Sequence, residues 1–526
     1  AITTIGNSAF EGCTALANIT LPNAISTISE YAFRGCTGLK SVDLPNATTR
    51  IESYAFYNCI KLKKITQGGL SELNYVVSIG KLAFYKCYSE PVLVHEGYTL
   101  KLPSITSIAD EGFRNCGFLK GIECGNGLTK INPNAFQSCG QLLYAEFPSA
   151  TSIGASAFAG DLNLEKVVTS ELESIGSSAF YDGYKEDGSD PTRPYVELEC
   201  PKIKDNCIIG TSAFEHSNIH GFITGKNVTL GERTCANCPK LGSAKVSAKV
   251  IPASCFNNTP ALTECDLDGT VRIETYAFYR SSVIPNLDNI LYIGSYAFSG
   301  NFDTGKVSID KNCTVKASAF SRSNITSVFI AENSILEAGI FSSCSKLTVA
   351  DMPFLKNIPA NTFNNCSNLV TANFPRNTDT VIGAGAFSNC GFTTFDLGNL
   401  SNKTHTQISD GAFKNCSKLS EITTFSDTHV YKWDVLEKAT TYYKNQSGNW
   451  VKSDENYELM DDAKGIYNAI YGTSSNSSDN IFSGTALRTA SVYHNKKPTY
   501  QTDDTRITYE YSNFKPGDNI PASSIN

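Results

Sequence analysis

The chain is 526 residues long and carries 44 Lys and Arg against 51 Asp and Glu, a formal net charge of −7 at pH 7. A mildly acidic, well-mixed charge pattern has no electrostatic footprint for nucleic acid, and no run of about 18 apolar residues is present to span a bilayer. Charged residues make up 18% of the chain, below the usual ~25%, so Asn, Ser and Thr do much of the solubilising. The sequence starts at Ala1 with no basic-then-apolar leader and reads as a mature or trimmed piece, its signal or lipid anchor absent.

Internal repetition dominates the chain order. Residues 5–22 read IGNSAFEGCTALANITLP and residues 28–45 read ISEYAFRGCTGLKSVDLP. The shared unit is I-G-x-x-A-F-x-x-C-x-x-L-x-x-I-x-L-P. Its Phe slot recurs at Phe10, Phe33, Phe56, Phe84, Phe113, Phe136, Phe158, Phe180 and Phe214. Cys235 then stands in for Phe, and the series resumes at Phe256, Phe278, Phe298, Phe320, Phe341, Phe363, Phe387 and Phe413. Phe10 and Phe413 are 403 residues and seventeen steps apart, a mean period of about 23.7.

Within each period, L-x-x-I-x-L-P reads as a short strand, stopped at Pro22, Pro45, Pro148, Pro353 and Pro375 because proline cannot donate to a ladder. The G-x-x-A-F-x-x-C segment reads as a short helical turn, with Gly12, Gly35, Gly160 and Gly300 as left-handed caps. One unit cannot bury Ile5, Phe10, Cys13, Leu16, Ile19 and Leu21 alone, but stacked copies can. The pattern therefore predicts a solenoid of about 18 coils over residues 1–425, with a parallel sheet along one side. The steps Phe56–Phe84, Phe84–Phe113 and Phe180–Phe214 are stretched to 28, 29 and 34 residues, and such extra residues become surface loops. In the longest of them Asp182, Glu186, Asp187 and Asp190 depart from calcium-loop spacing and read as a solvated acidic loop.

After Ile422 the repeat fails. Residues 426–480 read as a Trp/Tyr-rich insertion with one amphipathic helix through Leu459, Met460, Ala463, Ile466, Tyr467 and Ile470, between an N-cap at Ser453 and a stop at Gly472. Residues 481–526 read as a degenerate last repeat (Phe482, Thr485, Leu487, Val492) and a C-terminal cap with Tyr509, Tyr511 and Phe514.

Eleven of the eighteen cysteines hold one slot, three after the Phe: Cys13, Cys36, Cys59, Cys87, Cys116, Cys139, Cys238, Cys344, Cys366, Cys390 and Cys416. A repeated slot argues for small buried thiols lining the core rather than a disulfide framework. Cys235-x-x-Cys238 falls on the Phe and Cys slots and has no second pair at finger spacing, so core packing outweighs a zinc or redox site. Cys200, Cys207, Cys255 and Cys265 lie off the slot, and their redox state stays open. His216 and His220 lack the Glu of a zinc-protease motif and fall in different parts of the repeat. No phosphate loop, dinucleotide fingerprint or nucleophile elbow is present, and neither cofactor nor metal is expected.

The repeat unit closely resembles the BspA-like, Treponema-type leucine-rich repeat family over about residues 1–425. The resemblance implies an α/β-type solenoid: a right-handed leucine-rich repeat superhelix with a parallel sheet on the concave side and short helical turns on the convex side. It also implies surface-exposed proteins of host-associated bacteria and some parasitic protists, many proposed as adhesins, and brings no catalytic residues. The expectation is a non-enzymatic cell-surface or secreted protein binding a macromolecule, a host or matrix protein. One alternative is a glycan binder using the aromatic C-terminal region; another is an enzyme with a site in 426–526.

Outward strand positions are the candidate binding residues. Tyr144, Glu146, Glu264, Asp266, Asp351 and Asp396 share one face of different coils, and Trp433 and Trp450 are the richest hot-spot material. For any single one, a solvated face or local packing remains the blander explanation.

Overall fold

The computed structural model describes residues 2–88, 98–181, 198–375, 380–399, 407–409 and 411–420, and beyond them backbone strands only. The acidic quartet Asp182, Glu186, Asp187 and Asp190, the helix expected through Leu459–Ile470 with its stop at Gly472, and Phe482, Thr485, Leu487 and Phe514 lie outside the described residues. The chain divides into two compact units, Ala1–Asn286 and Leu287–Asn526. Each contains a parallel β-solenoid of leucine-rich repeat type.

In the first unit the expected strand is present in most coils. Ser41–Leu44 pairs in parallel with Lys64–Gln67, and Val42 and Leu44 point inward while Ser41 and Asp43 stay exposed. A second run stacks Tyr98–Leu102, Leu119–Cys124, Tyr144–Phe147 and Lys166–Thr169. A third stacks Gly221–Ile223, Ser243–Ser247 and Glu264–Asp268. The gap between the first two runs is filled by a side chain. The Tyr98 hydroxyl accepts from the Ile65 amide at 2.9 Å and donates to its carbonyl at 3.2 Å, where Lys64–Gln67 and Tyr98–Leu102 form no strand pairing with each other; Glu72 also bridges Lys101 there.

A second, shorter ladder precedes each turn segment after the first, and the sequence reading missed it. It is built of strands as short as two residues, such as Thr27–Ile28, Arg50–Ile51, Ser78–Ile79 and Ser107–Ile108, each burying its Ile. Farther along it runs through Lys130–Ile131, Ser152–Ile153, Leu172–Ile175, Ile203–Ile209 and Thr229–Leu230.

The expected helical turns are not formed; no helix occurs among the described residues. A helix needs negative φ throughout and local amide bonds only. Here two residues per coil, four apart, are left-handed, as in Tyr31 (φ 59°) and Gly35 (φ 71°). Amide bonds alternate in direction. Ala32 and Cys36 donate within the coil to Ser29 and Phe33, whereas Phe33 and Gly35 donate to Ala55 and Tyr57 of the next coil. The segment is a string of β-turns that doubles as an inter-coil ladder.

Between the ladders runs a column of rings. From Phe10 through Phe33, Phe56, Phe84, Phe113, Phe136, Phe158 and Phe180 to Phe214, centroids are 5.0–5.6 Å apart and planes within 9°, an offset stack. Cys235 interrupts it. Phe222, from a strand rather than a turn, fills the break, edge-on to Phe214 at 5.6 Å and to Phe256 at 6.3 Å.

The slot cysteines carry no disulfide, and all but Cys13 are buried. Each of nine, including Cys36, Cys59 and Cys139, donates its thiol to the Phe carbonyl one coil back at 3.0–3.2 Å. Where the slot holds an alcohol, as at Thr259 and Ser281, the hydroxyl donates to the Phe carbonyl of its own coil at 2.8 and 2.9 Å. Cys235 and Cys238 are core residues with no exposed surface.

The second unit repeats the plan. Its long ladder runs Lys306–Ile309, Ser327–Ile330, Val349–Asp351, Thr371–Asn373. Its rings stack from Phe298 to Phe413 at 5.0–5.5 Å. It ends in a seven-stranded sheet in which Thr394–Asn399 and Glu421–Phe425 are parallel. His429–Asp434, Thr489–His494, Tyr509–Ser512, Thr440–Lys444 and Trp450–Ser453 follow, antiparallel.

Candidate functional site

Inward strand positions are consumed by the core, so recognition chemistry must come from the outward ones. In the first unit these form registered rows: Thr99, Gly121, Tyr144 and Lys166 in one, Lys101, Glu123, Glu146 and Val168 in the next. Tyr144 does not project freely. Its ring lies over Gly121, where an added Cβ would sit 2.4 Å from the ring. Its hydroxyl stands 2.6 Å from that of Thr99, two coils away, and donates to Glu123 at 3.3 Å. Glu123 in turn meets Lys101 at 3.2 Å, and Lys101 also faces Glu72 at 4.0 Å. This stretch is closed: its small gap is covered and most of its charges are paired. Glu146 remains exposed beside it.

One coil further the ladder opens. Leu198 bridges Ile219, and beyond that bridge the two runs form no strand pairing with each other. The sequence explains why. Pro201 has no amide to give, Ile203–Ile209 turns away to pair with Leu172–Ile175, and Gly221–Ile223 turns the other way to Ser243–Ser247. Between them lies a cleft of about 670 Å³ with Leu198, Pro201, Ile203, Gly221 and Ile223 as apolar lining and Glu171, Glu199, Lys202, His220 and Thr224 around it. Ile223 is 63% exposed. Unlike Gly121, Gly221 is covered by nothing: an added Cβ would meet only the Ser243 hydroxyl, at 3.6 Å. Cys200 also lines the cleft. Burial pushes its thiol up to about 12, although the Ile223 amide facing it acts the other way, so it stays protonated at neutral pH. Two ion pairs flank the cleft, Lys166–Glu199 at 2.8 Å and Lys204–Glu173 at 2.7 Å.

The other sequence-derived candidates are dispersed. Glu264 and Asp266 are exposed on one edge of the third run, with Lys245 in register beside Asp266. Asp351 is half-buried in the second unit, between Phe329 and Asn373 in register. Asp396, Trp433 and Trp450 stand on strands Thr394–Asn399, His429–Asp434 and Trp450–Ser453, and of these three residues the backbone alone is described. No group of three or more His, Cys, Asp or Glu fit to hold a metal occurs among the described residues.

Sequence reasoning also missed a buried polar cluster on the turn side. Glu215, with 5% of its side chain exposed, accepts from the Arg233 guanidinium at both carboxylate oxygens, 3.0 Å from Nε. His216 Nε2 stands 3.7 Å away and the Asn237 amide 3.4 Å. Burial alone would raise the Glu215 carboxyl; the Arg233 fork outweighs it and holds it below the usual range. No spacing rule links residues 18 apart on different coils, so the pair had no sequence signal.

A solved leucine-rich repeat protein from Bacteroides ovatus is 19% identical, over 78% of this chain and 83% of that one, with a TM-score of 0.30. The T. pallidum leucine-rich repeat protein is 27% identical over 31% of this chain and 72% of its own, TM-score 0.27. A leucine rich cell surface protein from Faecalibacterium prausnitzii is 20% identical over 68% and 87%, TM-score 0.28. No curated protein matches the chain. The BspA type leucine rich repeat region matches six overlapping stretches, 3–93, 70–185, 197–285, 251–348, 271–393 and 335–444. Repeat, ring column and ladders thus converge with that match, and the chain belongs to the BspA-type leucine-rich repeat family.

Proposed function

We propose that the chain is a non-catalytic recognition protein, displayed on a cell surface or secreted, that holds a host or matrix protein on its outward strand face in the manner of an adhesin. The observation that carries this reading is a division of labour inside the repeat. Phe, Cys and Leu recur in the inward slots, coil after coil, while the outward positions change from coil to coil: Thr99, Gly121, Tyr144, Lys166. A surface varied over a rigid, repetitive core suits a broad macromolecular contact. In this reading these strands line the concave side of the right-handed superhelix that the family resemblance implies. In this reading residues 1–425 are the recognition solenoid, 426–480 an insertion and 481–526 a cap.

The test is an array of matrix proteins and glycans probed with the whole chain at low and high salt. Replacing Glu264 and Asp266 in the first unit, and Asp351 and Asp396 in the second, by Gln or Asn should weaken capture most at low salt. Unchanged capture at both salts removes these carboxylates from the account. Binding confined to glycans and lost in Trp433→Ala or Trp450→Ala moves the site to the aromatic C-terminal strands.

A further inference from the structure

We infer that the cleft beside Gly221 is an anchor pocket for one aliphatic side chain of an extended peptide segment that carries a basic and an acidic residue close by. This deepens the strand-face reading and rests on it. Three observations point to the occupant. First, the lining is aliphatic, and Ile223 leaves 63% of its surface in water on a face whose neighbouring outward residues, Ser243 and Lys245, are polar; covering such a side chain is favourable at about 25 cal/mol per Å². Second, the volume of about 670 Å³ is in the range of a specific ligand site and is not forced by packing, because Gly221 has room for a side chain.

Third, the uncommitted charges at the rim are one of each sign. Glu199 and Glu173 are tied to Lys166 and Lys204. Glu171 lies in the field of Lys204 but, like Lys202, makes no ion pair among the described residues. A peptide can answer both charges at once. A fatty acid would satisfy Lys202 but set its carboxylate against Glu171. Gly221–Ile223 has a strand partner on one side only, Ser243–Ser247, and its other edge, toward the cleft, suits an extended backbone better than a hydrocarbon chain.

The experiment uses the whole chain and an array of labelled heptapeptides in which the central residue and the charge of both flanks vary, with a fluorescent fatty acid and the matrix-protein array alongside. Binding should concentrate on Leu, Ile, Val or Met centres with one basic and one acidic flank, and Gly221→Val should reduce it at least tenfold while thermal unfolding is unchanged. Ile223→Ser is the second variant, should Gly221→Val disturb the fold. Peptide binding that ignores the central residue, or persists in both variants, overturns the anchor pocket. A fatty acid bound in place of peptides and expelled by Gly221→Val also overturns it, reassigning the cleft to lipid. A blank peptide array with a matrix protein captured equally by wild type and variant overturns the pocket and leaves the strand-face reading intact. Blank peptide and matrix arrays together overturn both.

Discussion

Glycine occupies an outward strand position twice in the first unit, and the two sites end differently. At Gly121 the missing side chain is replaced from the next coil by the Tyr144 ring, whose hydroxyl ties Thr99 to Glu123. At Gly221 the next coil offers only Ser243, and the space stays open above Ile223. The cores beneath them differ in parallel. Under Gly121 the ring column is supplied by turn segments; next to Gly221 it is interrupted at Cys235 and mended by Phe222. One repeat template thus yields a sealed face where the next coil supplies a ring and a cleft where it supplies only a hydroxyl.

The largest expected effect tests the mending. Phe222→Ala should cost about 3–5 kcal/mol in chemical denaturation, as much as Phe136→Ala in the regular column. Hydrogen-exchange protection should fall in neighbouring coils rather than everywhere. A cost below about 1 kcal/mol would mean that Phe222 does not bridge the break. Next comes the glycine pair. Gly121→Val should destabilise by about 1–3 kcal/mol, because the Tyr144 ring must leave. Gly221→Val should stay within about 0.5 kcal/mol. Equal costs would erase the distinction between the sealed and the open site.

Smaller again is Tyr144→Phe, expected to cost about 1 kcal/mol through the lost hydroxyl bonds. The smallest effect is alkaline. Burial raises the thiols of Cys36 and Cys416 to about 11 from an ordinary value of 9.0, and those of Cys59, Cys87, Cys116 and Cys139 higher still. A group raised on folding gives stability that is complete below its unfolded pKa and lost as pH rises through the folded one. Exchange protection should therefore hold to about pH 9 and then loosen first in the coils that carry these six thiols. The coils whose slot holds Asp161 or Ser217 should respond later. Uniform loosening across both would contradict the assignment of the slot thiols.

Much of this was legible in the sequence, and the failures have physical causes. The Phe and Cys slots and the L-x-x-I-x-L strand follow from a period near 24 and an alternating pattern, and both are in the structure. The A-F-x-x-C spacing fits a helical turn and a string of β-turns equally well. Left-handed backbone at Tyr31, Tyr54 or Leu82 decides between them, and those residue types do not announce it. Two-residue strands such as Thr27–Ile28 are too short to show periodicity. The alternating pattern shows Tyr144 as an outward strand position, but its engagement depends on Gly121, 23 residues earlier, which only the register reveals. Pro201 and Gly221 were visible signals of a broken ladder, masked by an irregular repeat.

The most direct test of the account is hydrogen–deuterium exchange of the whole chain with and without a protein captured from the matrix array. The account expects new protection on the outward strand rows of the first unit, strongest in peptides covering residues 198–224 and 243–247, with the turn segments around Tyr54, Tyr57 and Tyr85 unchanged. Protection confined to those turn segments, with the strands and cleft unaffected, would contradict it.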